Sequence, residues 1–423
     1  MTGWTFPTQD GENMIRKILH TSDWHIGRKL KEHDRTREFQ KFFDELLRII
    51  HDENIDALLV AGDIFDNTTP TVQAQDMYYS LLSRLVSSPC RHIVIISGNH
   101  DSPSFLDAPA DLLEHCRIHV VGQARQDPAE EVLPLSDSEG RTELIVCAVP
   151  FLRNRDVMRA DISDSFSDIE SAIKSGIVEH YRRVFERARE LQGDSDVPVI
   201  AMGHLFLQEG RARPDDGTRE LYVGTAIRVD AGIFPEWLTY TALGHLHSPQ
   251  TAGRDNIRYS GSPIQMGFGE AGQNKAVYIL DLEGRHLTGI REAQIPEYQR
   301  LERISGDIPS IISQLGELGG RNEAMWVEVT HTGTEATGSL HKELSDYAKA
   351  FPELEILSVN SDTPESEIIP SPDTGGRNLD DISPEKIFDL LMDSKKTPES
   401  QRELFRRMYQ EILHSIETGE AYQ

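Results

Sequence analysis

Short apolar runs alternate with longer amphipathic stretches along the first part of the chain. The apolar runs Ile15–Thr21, Asp56–Ala61 and His92–Ile96 are typical of buried strands. Between them, Thr36–Asn54 and Pro70–Val86 carry apolar residues at helical spacing, which predicts two amphipathic helices. Strands and helices that alternate in this way predict right-handed crossovers and a largely parallel sheet.

The same pattern continues less regularly as far as Pro296. Helices are predicted at Pro103–His115 and Ser175–Gln192. The acidic stretch Gln123–Gly140 is predicted to be a loop, and the Gly/Pro/Asp-rich stretch Arg211–Arg219 a mobile one. Further apolar runs predict strands at Ile118–Val121, Leu144–Val149, Val197–Met202, Thr239–Leu243, Ile257–Ser260 and Lys275–Asp281.

Beyond Pro296 the pattern predicts a smaller α/β unit. Helices are predicted at Ile308–Leu318 and His341–Ala350, and strands at Met325–Thr330 and Leu354–Val359. A Pro/Gly/Ser/Asp-rich stretch then reads as a linker, and two amphipathic helices end the chain. Each of these helices begins with a hydroxyl residue followed by Pro, a common start for a helix.

The predicted fold class is therefore α/β, a two-sheet core with flanking helices, followed by a small α/β unit and a C-terminal helical pair. The predicted organisation is an N-terminal extension at residues 1–13, a main domain at 14–296, a small domain at 297–362, a linker at 363–382 and the helical pair at 383–423. Whether residues 1–13 are native is open, because Met14 is a plausible second start.

Composition narrows the class of protein. Apolar and charged contents of 38% and 27% suit a soluble globular chain. The three cysteines form no CxxC pair, which predicts reduced thiols, and no window approaches the roughly 18 apolar residues of a membrane span. These features predict a cytoplasmic protein. The net charge of −27 argues against non-specific binding of nucleic acid through the overall field, so a nuclease would depend on metal charge, local basic patches or a basic partner.

Polar residues that can bind metal follow five of the predicted strands, at the point where each strand ends. They are Asp23 and His25, then Asp63, then Asn99, His100 and Asp101, then His204, and finally His245 and His247. Ligands collect beyond the carboxyl ends of parallel strands, so the sequence predicts one crevice that gathers these side chains. Taken singly, Asp23 or Asp63 is more often a helix cap or a turn residue and His204 a loop histidine, whereas for His245 and His247 together the structural and functional interpretations are equally good. The prediction depends on the joint pattern.

This donor set holds too many ligands for one ion and fits two. Mixed nitrogen and oxygen donors suit manganese, iron or zinc better than calcium, and the absence of Cys argues against a purely structural zinc site. Two ions about 3.5–4 Å apart suit in-line displacement at phosphorus by a water, with one carboxylate as a bridge. An imidazole that is not a ligand could protonate the departing oxygen. Asp66 and Asp101 are either structural or orient histidines.

The motifs at these positions resemble those of the calcineurin-like metallophosphoesterases, namely Asp-x-His, Gly-Asp-x-x-Asp, Gly-Asn-His-Asp, Gly-His and Gly-His-x-His in this order. The stretches His20–Arg28, Ala61–Asp66 and Tyr259–Pro263 resemble, more narrowly, the bacterial SbcD nuclease family. The resemblance is strong over residues 14–296. Residues 297–362 resemble that family's capping domain, and the two terminal helices resemble its partner-docking segment.

The resemblance implies two manganese ions, with Mg²⁺, iron or Zn²⁺ as alternatives. It implies that one ion would be held by Asp23, His25 and His247, and the other by Asn99, His204 and His245, with Asp63 as the bridge. His100 would act on the leaving oxygen, with Asp101 as its orienting neighbour. Candidate DNA contacts are Arg28, Lys29 and Arg153, for which ordinary solvated surface is an equally good interpretation.

The resemblance also implies an activity and partners. The implied activity is ATP-linked exonuclease and endonuclease cleavage of double-stranded DNA ends and hairpins, in DNA repair, recombination and replication, with the partner supplying ATP hydrolysis. The implied partners are an SbcC-type coiled-coil ATPase, bound through the C-terminal helices, and a second copy of the nuclease subunit. The resemblance implies no association with a membrane. The sequence has no Walker A glycine loop, so ATP binding by this chain is not supported.

Two other functions remain open. The acidic charge favours a small-molecule phosphodiesterase or phosphatase of the same superfamily. A third interpretation is an assembly scaffold with a vestigial metal site. The terminal helices could also pack on their own chain instead of on a partner.

Overall fold

A computed structural model describes residues 15–158, 166–211, 227–321, 323–333 and 346–361, together with Leu344, Phe388, Met392 and Arg402. The predicted N-terminal extension, the linker at 363–382 and the stretch 212–219 lie outside the described residues. So does the helical pair at 383–423, apart from three isolated positions, and so do residues 341–343 and 345 of the helix predicted at His341–Ala350.

Seventeen strands and seven α-helices build the described part of the chain. The strands are β1 Lys17–Thr21, β2 Ala57–Ala61, β3 His92–Ile96, β4 Ile118–Val121, β5 Val132–Ser136, β6 Thr142–Ala148, β7 Val199–His204, β8 Phe206–Leu207, β9 Arg228–Val229, β10 Tyr240–Gly244, β11 Gln250–Ala252, β12 Arg254–Tyr259, β13 Lys275–Glu283, β14 His286–Ile295, β15 Arg300–Gly306, β16 Met325–His331 and β17 Leu354–Ser361. The helices are α1 Thr36–Glu53, α2 Val72–Val86, α3 Pro103–Asp107, α4 Ala110–Glu114, α5 Asn154–Val157, α6 Phe166–Gln192 and α7 Ile308–Gly319.

Two six-stranded sheets form the centre of the molecule. The first has the order β14-β13-β1-β2-β3-β4, and the second has the order β11-β12-β10-β7-β6-β5. The run β1-β2-β3-β4 is parallel, as the alternation of strands and helices predicts. In the second sheet β6, β7, β10 and β12 are parallel, and antiparallel strands cover its edges. The fold is therefore α/β with two sheets, which confirms the predicted fold class.

Three apolar layers hold these sheets together. Leu59 and Val94 of the first sheet pack against Val146, Ile200 and Met202 of the second. The outer face of the first sheet packs against α1 and α2, and the outer face of the second packs against α6. The apolar faces are the ones that the 3–4 spacing of the helices predicts. The result is a helix–sheet–sheet–helix sandwich, in which the ends of both sheets can contribute to one site.

The sequence prediction missed β5 and β14, which are edge strands. Gln123–Gly140 was predicted to be a loop, but it contains a 3₁₀ turn at Pro128–Glu131 and then β5. β5 tolerates Pro134 because an edge strand need not donate every N–H to a ladder. β14 is half exposed and rich in polar residues, so it lacks the apolar run that marks a buried strand.

Two helices also differ from their predicted extents. The helix predicted at Pro103–His115 is two short helices, α3 and α4, separated at Ala108-Pro109. Pro109 lacks the N–H that a continuous helix would need there, so the helix stops and restarts. α6 begins at Phe166, nine residues before the predicted Ser175.

The chain leaves the first sheet after Ile295 and enters a smaller unit. There β15, β16 and β17 form a parallel sheet, and α7 packs its apolar face on it through Ile311 and Leu315. The prediction had not included β15. Among the described residues, no helix combines the length and the apolar character that crossing a bilayer would require.

Candidate metal centre

The carboxyl ends of five parallel strands meet at one edge of the sandwich. β1, β2 and β3 come from the first sheet, and β7 and β10 from the second. The ends of these strands and the loops after them carry the seven predicted metal ligands, all of them buried: Asp23, His25, Asp63, Asn99, His204, His245 and His247. The structure therefore brings together residues that are spread over more than two hundred positions, as the strand-end pattern predicts.

Glycines let these loops approach one another closely. A Cβ atom at Gly98 would lie 2.1 Å from Asp63 Oδ1, and one at Gly244 would lie 1.9 Å from the Ala61 carbonyl oxygen. Neither distance is possible for a real side chain, so only glycine fits at these two positions. The glycines beside the polar clusters therefore have a structural reason.

Several site residues also adopt strained backbone conformations. Asp23, His25, Asp63 and His245 have φ values of 52°, 48°, 50° and 98°, in the left-handed region. Each such non-glycine conformation costs about 1–3 kcal/mol and persists only where surrounding contacts enforce it. Strain of this kind is typical of functional sites.

Asp23, His25 and His247 form the first group of donors. Their ligand atoms lie within 4.8 Å of one another, and His25 Nε2 is 3.1 Å from His247 Nε2. His247 Nδ1 lies 3.2 Å from Glu270 Oε1 and donates to it, because a carboxylate oxygen can only accept. In the neutral ring Nε2 then carries a lone pair that points into the site, as a metal ligand requires.

Asn99, His204 and His245 form the second group. Asn99 Oδ1 lies 3.0 Å from His204 Nε2 and 3.1 Å from His245 Nδ1. His204 Nδ1 donates to the Ala61 carbonyl oxygen at 2.9 Å, so Nε2 of the neutral ring is an acceptor that faces another acceptor. Either a proton or a cation must lie between them. The donor set therefore fits a cation at this position.

Asp63 lies between the two groups. Its Oδ2 is 3.5 Å from His25 Nε2 in the first group and 3.4 Å from His204 Nε2 in the second. Its Oδ1 accepts the backbone N–H of His100 at 2.9 Å, which fixes the orientation of the carboxylate. One carboxylate is thus within reach of both donor groups.

The electrostatics of the metal-free site are dominated by this carboxylate. Burial lowers the pKa of His204, but the adjacent Asp63 outweighs burial and raises it to about 9. Burial raises the pKa of Asp63, but His204 and His100 together hold it well below its usual range. Burial lowers the pKa of His245 to about 3 and lowers that of His25 well below its usual range. In the absence of metal, a proton on His204 Nε2 lies between this nitrogen and Asn99 Oδ1, which would otherwise be two acceptors that face each other.

His100 lies beside the two groups. Its ring centroid is 4.8 Å from that of His25, at an interplanar angle of 87°. His100 Nδ1 donates to the Asp66 carbonyl oxygen at 2.9 Å, so Nε2 is the ring nitrogen left for other chemistry. A carboxylate oxygen of Asp63 and a nitrogen of His25 lie within 4.8 Å of a His100 ring nitrogen, so a ligand role is also geometrically open to His100.

The structure corrects the expected position of Asp101. Its carboxylate accepts backbone N–H groups of Ile64 at 3.1 Å, Phe65 at 2.9 Å and Gly98 at 2.8 Å. Within the described part of the chain, the partner of the His100 ring is the Asp66 carbonyl and not the Asp101 carboxylate. The Asp101 carboxylate points away from the His100 ring because its hydrogen bonds join the loop after β2 to the loop after β3.

The three candidate DNA contacts differ in position. The Arg28 side chain is only 10% exposed, pairs with Asp66 at 3.1 Å and donates to the Met266 carbonyl. Arg153 donates to the Asp101 carbonyl oxygen at 2.9 Å, at the edge of the site. Lys29 is more than half exposed and lies 3.7 Å from Glu32. Arg28 and Arg153 therefore belong to the surroundings of the site, whereas Lys29 lies in solvent.

Sequence reasoning missed Glu270 and gave no role to Ser260. Glu270 is fully buried and contacts His247. Ser260 lies 2.7 Å from Ser22 Oγ, and Ser22 donates to the Asp23 carboxylate at 2.5 Å. Ser260 stands in the Tyr259–Pro263 motif, which is the signal in the sequence that could have identified it. Glu270 follows no strand end and belongs to no motif that could have marked it.

Family models match most of the chain. The calcineurin-like phosphoesterase model matches residues 16–249. A second model, described as the type 5 capsule protein repressor C-terminal domain and named SbcD_C, matches residues 297–396. The first match spans every strand end that contributes to the site.

Curated relatives match over greater lengths. The SbcD subunit of the SbcCD nuclease of Escherichia coli (strain K12) is 30% identical over 403 residues, which cover 95% of this chain and 98% of the relative. The proteins with the same name from Rhodobacter capsulatus and Bacillus subtilis are 34% and 33% identical and cover 71% and 74% of this chain, and 76% and 78% of the respective relatives. The phosphoesterase model and these long matches together show that the chain belongs to the SbcD nuclease family of calcineurin-like phosphoesterases, which are hydrolases.

Proposed function

We propose that this chain is the nuclease subunit of an SbcCD-type complex in the cytoplasm. It would cleave phosphodiester bonds at double-stranded DNA ends and in hairpins, as an exonuclease and an endonuclease, in DNA repair, recombination and replication. The observation that carries the proposal is the position of Asp63, whose Oδ2 lies 3.5 Å and 3.4 Å from histidine nitrogens of two separate donor groups. That arrangement suits a pair of metal ions, and the name of the relatives supplies the nuclease class.

The phosphoesterase family and the donor cluster imply divalent metal ions. We propose two Mn²⁺, one held by Asp23, His25 and His247 and the other by Asn99, His204 and His245, with Asp63 shared. When bound, such ions supply positive charge to the phosphate and lower the pKa of a water to near neutral. The protein's own contribution is to hold seven buried donors in fixed positions, so that little reorganisation is needed during the reaction.

His100 is proposed to protonate the departing oxygen. Its Nδ1 is held by the Asp66 carbonyl at 2.9 Å, which fixes the ring and leaves Nε2 for proton transfer. Asp101 contributes indirectly, because its carboxylate fixes the two loops that carry Asp63 and His100. Burial and the Asp63 charge raise the pKa of Asp101 to about 7 in the metal-free protein.

An acidic chain must still attract DNA. The net charge of −27 repels a polyanion over long distances, but the Debye length at physiological salt is only about 8 Å. Bound cations, together with Arg28 and Arg153 at the edge of the site, would supply the local positive charge. A basic surface on the partner ATPase would supply the rest.

Metal removal tests the proposed activity. We expect the purified chain to bind two Mn²⁺ and to cleave hairpin DNA only in their presence, because such ions would supply the positive charge that the buried donors alone do not offer to a phosphate. Treatment with a chelator followed by dialysis should remove the activity, and added Mn²⁺ should restore it. Elemental analysis and hairpin cleavage on the same samples make the measurement.

A matched substrate separates the proposed function from the small-molecule alternative. If the protein hydrolyses a cyclic nucleotide in Mn²⁺ and leaves hairpin DNA intact, the small-molecule phosphodiesterase is the better interpretation. A metal-free protein that still binds its partner would instead support a scaffold.

The partner and the domain organisation are also proposals. The domains proposed are the catalytic domain at residues 14–296, a capping domain at 297–362, a linker at 363–382 and partner-binding helices at 383–423. The SbcD_C model, which matches residues 297–396, supports a specialised C-terminal region. We propose that the terminal helices bind a coiled-coil ATPase of the SbcC type.

Deletion of Ser383–Gln423 tests the docking assignment. The truncated chain should fail to form a complex with the coiled-coil ATPase, because the two apolar stripes that would pack on it are removed. It should still cleave bis(p-nitrophenyl) phosphate in Mn²⁺ at close to the full-length rate, because the seven donors all precede residue 297. Light scattering on the mixture gives the mass of any complex, and formation of that complex by the truncated chain would contradict the assignment.

The same mass measurement on the full-length chain alone tests pairing of two copies, which the resemblance implies. The mass of a single chain at micromolar concentration would contradict it.

A further inference from the structure

The segment after β12 packs against His247 of the first donor group. Ser262 donates its backbone N–H to the His247 carbonyl oxygen at 3.1 Å. Lys275, the first residue of β13, donates to the same carbonyl at 3.1 Å and to Ser262 Oγ at 2.9 Å. The backbone of His247 is therefore fixed by hydrogen bonds from residues that are not metal ligands in the proposed site.

Glu270 holds the ring of the same histidine. Its Oε1 accepts from His247 Nδ1 at 3.2 Å. Its Oε2 accepts from the Met266 backbone N–H at 3.0 Å and from Ser262 Oγ at 3.2 Å, and it pairs with Lys275. A fully buried carboxylate is costly unless all its lone pairs are used, and here Lys275, Ser262 and Met266 occupy one oxygen while the other is left for His247.

We propose that Glu270 is a positioning residue for the metal centre. It fixes His247 in the tautomer with Nδ1 protonated and directs Nε2 toward Asp23 and His25, while Lys275 and Ser262 fix the carboxylate itself. The inference rests on the proposed metal site. Partners of this kind set the orientation and basicity of histidine ligands, and their loss typically weakens metal binding about 10–100-fold.

Glu270 and Lys275 could instead serve only to close the loop between β12 and β13. A purely structural ion pair would need no contact with His247, and its replacement by uncharged residues would act on folding alone. The contact between His247 Nδ1 and Glu270 Oε1 favours the positioning role. The two roles predict different behaviour for variants that keep or lose the acceptor.

Two double variants of the full-length chain separate these roles. Glu270→Gln with Lys275→Met removes both charges but keeps an oxygen that can accept from His247 Nδ1. Glu270→Leu with Lys275→Met removes both charges and the acceptor. Both variants replace Lys275 together with Glu270, because a substitution of Glu270 alone would leave the buried lysine without its carboxylate partner and would confound the measurement.

Mn²⁺ titration should distinguish the two variants. We expect the Leu/Met chain to bind one of its two Mn²⁺ about 10–100-fold more weakly than the wild type. The Gln/Met chain should stay within a few-fold of the wild type, because the acceptor is retained. Equal Mn²⁺ affinities in the two double variants, at matched melting temperatures of the metal-free proteins, would overturn the proposal.

A second measurement needs no variant at position 270 and no metal. In the ¹⁵N-histidine spectrum of the metal-free wild type, recorded at a pH high enough for the ring to be neutral, the His247 signal, identified by its loss in a His247→Gln chain, should show a proton on Nδ1 and none on Nε2. An Nδ1 without a proton would overturn the positioning role even if the Leu/Met chain failed to fold. If the wild type binds no Mn²⁺ but shows this signature, the proposed function fails while the assignment of Glu270 stands.

Discussion

Replacing Asp63 with Asn is expected to abolish phosphodiester cleavage and to remove at least one of the two proposed Mn²⁺ ions. The amide side chain would be nearly the same size and could still accept the His100 N–H through its remaining oxygen, so the loop should keep its shape. The lost charge is the one that lies 3.5 Å and 3.4 Å from histidines of both donor groups. A bridging contribution of several kcal/mol corresponds to a rate loss on the order of 10³-fold or more.

The matched control is Asp127→Asn, the same chemical change at an exposed ion pair with Arg183. It should leave Mn²⁺ content and cleavage rate unchanged, because exposed pairs contribute little to stability and this one lies outside the donor set. Elemental analysis and hairpin cleavage on both variants make the comparison. An Asp63→Asn chain that kept two tightly bound ions would refute the shared-carboxylate assignment.

Replacing His100 with Ala is expected to lower DNA cleavage by roughly 10²–10⁴-fold while leaving two Mn²⁺ bound. The His100 ring is tied to the Asp66 carbonyl, outside the seven predicted ligands, and the Asp63 contact uses its backbone N–H, which alanine retains. The substitution therefore removes the proposed proton donor without disturbing the carboxylate. Single-turnover cleavage of hairpin DNA and metal analysis are the two measurements.

The choice of substrate sharpens this test. A nitrophenolate is a stable leaving group that needs little protonation, so hydrolysis of bis(p-nitrophenyl) phosphate should suffer much less than DNA cleavage. His286→Ala, at the exposed start of β14, is the matched control and should behave as wild type in both assays. If His100→Ala loses metal, or if both substrates suffer equally, His100 is a ligand or a structural residue.

The location of the site could be predicted from the sequence because it follows from local pattern. Each donor cluster comes directly after an apolar run, and parallel strands place their carboxyl ends on one edge. Residues as distant as Asp23 and His247 could therefore be assigned to one crevice before their contact was known. The glycines beside the clusters were visible too, although the close approach that requires them was not.

The parts that sequence reasoning missed depend on tertiary contacts that have no local pattern. Glu270 is remote from any strand end, and only its position under His247 makes it relevant. Asp101 follows His100 in sequence but turns toward backbone N–H groups of another loop. β5 and β14 lie at sheet edges, where neither burial nor alternation is strong enough to stand out. The division of the strands between two sheets likewise depends on pairing over long distances.

The donors come from both sheets, so the spacing of the two proposed ions is set by how the sheets lie on each other. Asp23 and Asp63 follow strands of one sheet. In the other sheet His204 is the last residue of β7, and His247 lies in the loop after β10. A shift of one sheet by a single ångström would displace the donors that it carries relative to the donors of the other sheet. The apolar contacts between the two sheets, among them those of Leu59 and Val94 with Ile200 and Met202, thus determine the distance between the two proposed ions. Buried residues outside the donor set would therefore influence catalysis by keeping the two sheets in a fixed relative position.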